Sequence, residues 1–138
     1  MTGLGPNETL IGVKGSRAEL DTPALLIDLD AMERNLAAMA AHARAVGVAL
    51  RPHAKTHKSL RIARLQVEAG ALGVCCATMG EAEVMVGGGI PGVHITSPQV
   101  TRSKIARLVA LNARDHRGLS VVVDTCAAPG PTLSGSEP

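Results

Sequence analysis

No phenylalanine, tyrosine or tryptophan occurs anywhere in the 138 residues. Aromatic rings usually carry much of a core's burial, so this chain must build its interior from small aliphatic side chains. Their absence also excludes chemistry that needs a phenol: no tyrosine can serve as an acid, hold a phosphate or cover a cofactor. With no phenylalanine, tyrosine or tryptophan among its basic residues and a net charge of only +2, the chain has neither the stacking platform nor the basic stripe of a nucleic-acid binder. No apolar run approaches the roughly 18 residues of a membrane span. The opening "MTGLGPNETLIGVKG" lacks the basic-then-apolar order of a secretory signal. Three cysteines, Cys75, Cys76 and Cys126, make neither a disulfide framework nor a zinc spacing. The adjacent pair, inside an apolar run, reads as small buried residues of a cytoplasmic protein.

What is present is a globular composition. Charged residues at 19% are too few for a disordered chain, and the length suits one modest domain. From residue 22 onward apolar runs alternate with helical periodicity. "ALLIDLD" (24–30) reads as a strand, followed by a helix over 31–47 with Met32, Leu36, Met39 and Ala43 on one face. Asp30 and Glu33 suggest a capping box, with Gly47 as the stop. A second strand spans 48–55 and a helix 59–70, with Leu60, Ala63 and Val67 inward. Strand three is 72–78, and a helix over 78–89 opens on Thr78 and Glu81 and closes on glycines. Strand four is 92–98, then a helix over 101–116 with Ile105, Leu108 and Val109 inward, then strand five, "LSVVVD", at 119–124.

Each strand is apolar throughout, as for strands buried on both faces of a parallel sheet. Successive βα units indicate a doubly wound sheet or a (β/α)8 barrel. "DLDAME" stands where a dinucleotide fold would carry Gly-x-Gly-x-x-Gly, which favours the barrel. Five strands and four helices are the N-terminal part of such an α/β TIM-type barrel, since a full one needs at least ~200 residues. The expected organisation is a flexible arm over 1–20, a partial barrel domain over 21–124, and a disordered or out-of-family tail over 125–138. That tail, "TCAAPGPTLSGSEP", loses all apolar periodicity where a loop and helix should follow, the mark of a truncated chain or a lost reading frame.

In βα folds functional side chains gather at the C-terminal ends of strands. Here those positions hold Asp28 and Asp30; His53, Lys55, Thr56 and His57; Thr78; Thr96 and Ser97; and Asp124. The second exit, "RPHAKTHKS" (51–59), is the richest. A lysine there, partly desolvated and beside Arg51 and Lys58, can offer a neutral amine to an aldehyde and form a Schiff base. If the strand runs through residue 55, His53 and Lys55 share its inner face while Ala54 looks out toward the helices. Taken alone, the motif also fits an ordinary basic loop. A metal site is the poorer reading, because His53 and His57 have no carboxylate or thiol beside them. His42 and His116 read as solvated, His94 as a satisfied core histidine, and Gly87–Gly89 as helix-stop glycines rather than a phosphate cradle.

"LDTPALLIDLDAMERN", "LRPHAKTHKS", "GVCCATMGEAEVM", "ITSP" and "LSVVVD" together resemble the D-threonine aldolase / D-serine dehydratase-like family. These are pyridoxal-phosphate enzymes of the alanine-racemase barrel class (fold type III). The resemblance runs from about Leu20 to Asp124. It implies that Lys55, the first lysine of Pro-His-x-Lys-Thr-His-Lys, bears the cofactor, with His53 and Arg51 lining its pocket. The implied activity is that of a lyase on D-3-hydroxy amino acids: retro-aldol cleavage to glycine and an aldehyde, or elimination of water. The family also implies a divalent metal, whose ligands come from a later portion with no match here, so no metal ligand is assigned. A small D-amino acid is the implied partner, with neither nucleic acid nor membrane, and full-length relatives are often homodimers. The alternatives are a non-catalytic truncated fragment or pseudoenzyme, and a pyridoxal-phosphate-binding module without turnover.

Overall fold

The computed structural model describes residues 5–114 and 118–124. Two compact units divide the chain, Met1–Glu33 and Arg34–Pro138. His116, Cys126 and the expected tail lie outside the described residues.

In the first unit, short 3-10 turns form at Glu8–Leu10 and Ser16–Glu19. Asn7 ties this stretch to Asp21: its Oδ1 accepts from the Asp21 N–H and its Nδ2 donates to the Asp21 carbonyl, both at 2.8 Å. The nearly buried Ser16 hydroxyl bonds back to Val13 O at 2.8 Å. The apolar run expected to be the first strand is not one. Residues 24–28 have no ladder partner among the described residues, and Leu25 is fully exposed. Apolar composition favours a strand, but a strand exists only where a neighbour takes its backbone hydrogen bonds.

Helix α1 (Leu29–Ala45) starts earlier than its sequence suggests, because Asp28, not Asp30, caps it: Asp28 Oδ1 accepts the Ala31 N–H at 2.9 Å. In the second unit its inward residues are Ala40 and Ala43, whereas Met39 is exposed. Helix α2 (Leu60–Glu68) follows, capped by the Ser59 hydroxyl on the Ile62 N–H. Then come β1 (Cys75–Cys76), α3 (Met79–Gly87), β2 (His94–Ile95), α4 (Arg102–Arg114) and β3 (Ser120–Val121). On α4, Leu111 is buried and Val109 exposed, reversing the expected inward role of Val109. Helices α1, α2 and α3 all end in paired backbone bonds closing on Gly47, Gly70 and Gly89. Gly89, with φ of 80°, takes the left-handed position that ends α3, so the Gly87–Gly89 run is a helix stop.

The strands are parallel in the order β1–β2–β3, with Cys75 opposite His94 and His94 opposite Ser120. Among the described residues the expected second strand forms no ladder: it is joined by an isolated parallel bridge, His53 to Cys75, with Cys75 N–H bonded to Pro52 O at 2.7 Å and Leu72 N–H to Leu50 O at 2.9 Å. Pro52 has no N–H to continue a ladder, and at Ala54–Thr56 the chain turns into a 3-10 helix. Among the described residues, three strands and a bridge therefore stand where five strands were expected. The core is aliphatic, as the absence of rings requires: Val74, Cys76, Met85, Ile90, Val93 and Ile95 are fully buried, with Ala54, Ala63 and Ala82 at zero exposure. At the N-terminal ends of β1 and β2 the backbones touch. A Cβ on Gly73 would strike the carbonyl oxygens of Pro91 and Gly92, and one on Gly92 would strike Leu72 O.

Candidate active site

The opposite, C-terminal ends of the strands gather polar side chains. The backbone register sets this up: Thr96 N–H bonds to Cys76 O at 2.9 Å, which carries β2 one step beyond β1 and places the Thr96 side chain at the rim. Thr96 Oγ1 donates to the same carbonyl at 3.1 Å and lies 3.3 Å from His53 Nε2. His53 Nδ1 in turn receives the Lys55 N–H at 3.3 Å, and Thr56 Oγ1 donates to His53 O at 3.2 Å. Ala54, between them, is fully buried in the hydrophobic core.

Lys55 differs from its expected setting. It sits on the 3-10 turn rather than on a strand, and it is exposed rather than desolvated. Strand alternation ends at His53, so it cannot aim Lys55. The turn geometry does that instead. His57 and Lys58 both donate backbone N–H groups to Ala54 O, at 3.2 and 2.8 Å, and Lys58 adopts a left-handed φ of 48°. Such a conformation costs a non-glycine residue roughly 1 kcal/mol and persists where neighbours hold it. Here Lys58 Nζ lies 3.6 Å from Glu81 Oε1.

Glu81 joins the turn to α3. Thr78 Oγ1 accepts the Glu81 N–H at 3.2 Å, while Glu81 Oε2 reaches back to the Ala77 N–H at 2.8 Å. The predicted capping box is therefore present, displaced by one residue on its return arm. Burial alone would raise the Glu81 carboxyl, but the Ala77 N–H and the Lys58 ammonium outweigh it and hold the group below the usual carboxylate range. Burial pushes the Cys76 thiol up to about 11, helped by Glu81 and Cys75. Burial raises Cys75 as well, with Arg51 partly opposing. Neither is a thiolate nucleophile at neutral pH.

Arg51 Nε is buried and makes no hydrogen bond among the described residues. His94 is half-buried and bonded to Ser120 Oγ at 2.9 Å, the satisfied histidine its position suggested, and His42 is exposed. Asp28 serves as a helix cap, and Asp30 and Asp124 are exposed. Among the described residues no three or more His, Cys, Asp or Glu side chains come together to hold a metal. None of the described helices is long and apolar enough to cross a membrane. Sequence reasoning missed the pairing of His53 with Thr96 and of Lys58 with Glu81. Both pairs are distant in sequence and meet only through the parallel register; the sole signal was that each residue stands at or just beyond a strand exit.

Residues 27–127 match the family model described as alanine racemase, N-terminal domain. The chain belongs to that family. The arrangement of α helices and parallel strands is accordingly the N-terminal part of a (β/α)8 TIM-type barrel. Among characterised relatives, the D-threonine aldolase of Arthrobacter sp. is 47% identical over 107 residues, covering 78% of this chain and 28% of that protein. The D-threo-3-hydroxyaspartate dehydratase of Delftia sp. (strain HT23) is 39% identical over 109 residues, covering 79% and 28% respectively. The crystal structure of D-threonine aldolase from Filomicrobium marinum superposes with a TM-score of 0.71 at 50% identity, covering 79% of this chain and 29% of that one. The chain thus spans little more than a quarter of the length of the relatives it matches.

Proposed function

We propose that this chain carries the lysine-bearing wall of a pyridoxal-phosphate-dependent lyase site for D-3-hydroxy amino acids. The observation that supports this most is the placement of Lys55. It is exposed on a turn pinned at the C-terminal rim of a parallel sheet, within the Pro-His-x-Lys-Thr-His-Lys element. The similarity to an aldolase and a dehydratase points the same way. The residues suit the cofactor: an accessible primary amine for its aldehyde, and a guanidinium at Arg51 whose buried Nε has no partner among the described residues. Lys55 would hold the cofactor covalently, with Arg51 as the cation at the start of the same element. When bound, the cofactor supplies the electron sink for cleaving the substrate to glycine and an aldehyde, or for eliminating water. The chain's own contribution is to hold the lysine: Ala54 O anchors the turn from beneath, Glu81 and Lys58 brace its far side, and Ser59 hands it to α2.

The exposure of Lys55 favours a second reading, cofactor binding without turnover, because the reaction requires water to be excluded. One preparation separates the two. The chain is incubated with pyridoxal phosphate, reduced with borohydride, and the modified lysine located by mass spectrometry, with D-threonine cleavage assayed in parallel. Label on Lys55 with cleavage supports the lyase, and label without cleavage supports binding alone. Label confined to Lys58, or none, removes the assignment.

A further inference from the structure

We propose that His53 is a positioning residue for Lys55, held in one neutral tautomer by Thr96, rather than a group that contacts the cofactor. The proposal rests on the reading of Lys55 as the cofactor lysine, and its basis is a count of protons. Thr96 has one hydroxyl proton. Its Oγ1 lies 3.1 Å from the carbonyl of Cys76, which can only accept, so the proton is directed there. His53 Nε2 meets the same Oγ1 at 3.3 Å, where only lone pairs remain, so Nε2 must carry a hydrogen. On the other side of the ring the Lys55 N–H points at Nδ1 at 3.3 Å, so Nδ1 must be bare. Two separate partners demand the same tautomer.

The result is a directed chain of three hydrogen bonds. It begins at Lys55 N–H, passes through the imidazole and the Thr96 hydroxyl, and ends on Cys76 O at the C-terminal end of β1. Both ring nitrogens are engaged, so the imidazole has neither a donor nor an acceptor left for a bound ligand. What it offers is a rigid link between the backbone of Lys55 and a fully buried strand residue.

The test uses the whole chain with labelled histidines. Long-range proton–nitrogen correlation through the imidazole ring of His53 should show a protonated Nε2 and a bare Nδ1; the opposite tautomer overturns the proposal. Amide exchange gives the second reading. Thr96→Val, which cannot relay the bond, should speed exchange at the Lys55 amide by roughly three- to tenfold, the weight of one net hydrogen bond. Thr96→Ser should restore the original rate. An unchanged Lys55 amide in Thr96→Val, or an equal acceleration at core amides such as Met85, overturns it. Should Thr96→Val not fold, the tautomer in the unaltered chain still decides. Neither readout needs the cofactor. A Lys55 left unlabelled by pyridoxal phosphate would therefore sink the functional assignment while leaving this measurement to stand or fall separately.

Discussion

The two ends of the same short strands are built from opposite materials. At the N-terminal ends of β1 and β2, Gly73 and Gly92 let bare backbone meet backbone, with no room for a single added carbon. At the C-terminal ends, His53, Thr96, Thr78 and Glu81 fill the space with directed hydrogen bonds. One end is closed by contact and serves stability. The other is held by polar links that leave Lys55 in solvent, where chemistry can reach it. The division matches the rule that barrel function resides at the C-terminal face while the opposite face carries stability.

Substitutions at each end should break the molecule in different ways. Gly73→Ala should have the largest effect, because its Cβ collides with carbonyl oxygens that belong to backbone and cannot rotate away. A loss of about 3 kcal/mol or more in urea unfolding is expected. Gly80→Ala is the control: nothing lies within 4 Å of the added Cβ, and a gain of about 0.5 kcal/mol should follow from helix propensity. Equal effects at the two glycines would contradict the close backbone approach.

At the polar end, Glu81→Ala should cost about 1 kcal/mol through loss of the cap. Glu81→Gln isolates the charge. Because the folded carboxyl titrates below its ordinary value, its stabilisation is complete above the unfolded value and disappears as pH falls through the folded one. The stability gap between wild type and Glu81→Gln should therefore be constant near neutrality and close as the pH falls below the ordinary glutamate value of about 4.3. A gap that widened in acid would refute the assignment. The smallest effect is expected at Arg107, which joins α4 to α3 through Glu83 with Nε to Oε1 at 2.8 Å, both side chains well exposed. Arg107→Ala should shift the unfolding midpoint only at low salt and not at high salt.

Helix positions and the aliphatic core could be read directly from the sequence, because apolar spacing and terminal glycines are local signals. Leu60, Ala63 and Val67 turn inward as their spacing indicates. Met39 and Val109 do not, since the adjacent Ala40 and Ala43 one turn on, or a better-placed Leu111, take the buried positions. Strands were legible only as apolar runs. Whether "ALLIDLD" pairs depends on a partner that periodicity cannot supply, and Pro52 breaks a ladder that "VALRPHAK" otherwise suggests. Lys55 was identifiable from its motif, yet its support was not: Thr96 lies 43 residues beyond His53, and only the register of β1 and β2 brings them together.

An interior of methionine, valine, isoleucine and alanine also has an optical consequence. With no tyrosine, tryptophan or phenylalanine in the sequence, the polypeptide contributes almost nothing to absorbance near 280 nm or to fluorescence excited there. Any colour, induced circular dichroism or emission in that range would come from a bound chromophore alone. Capture of a cofactor at the rim could thus be followed directly, without subtracting a protein background.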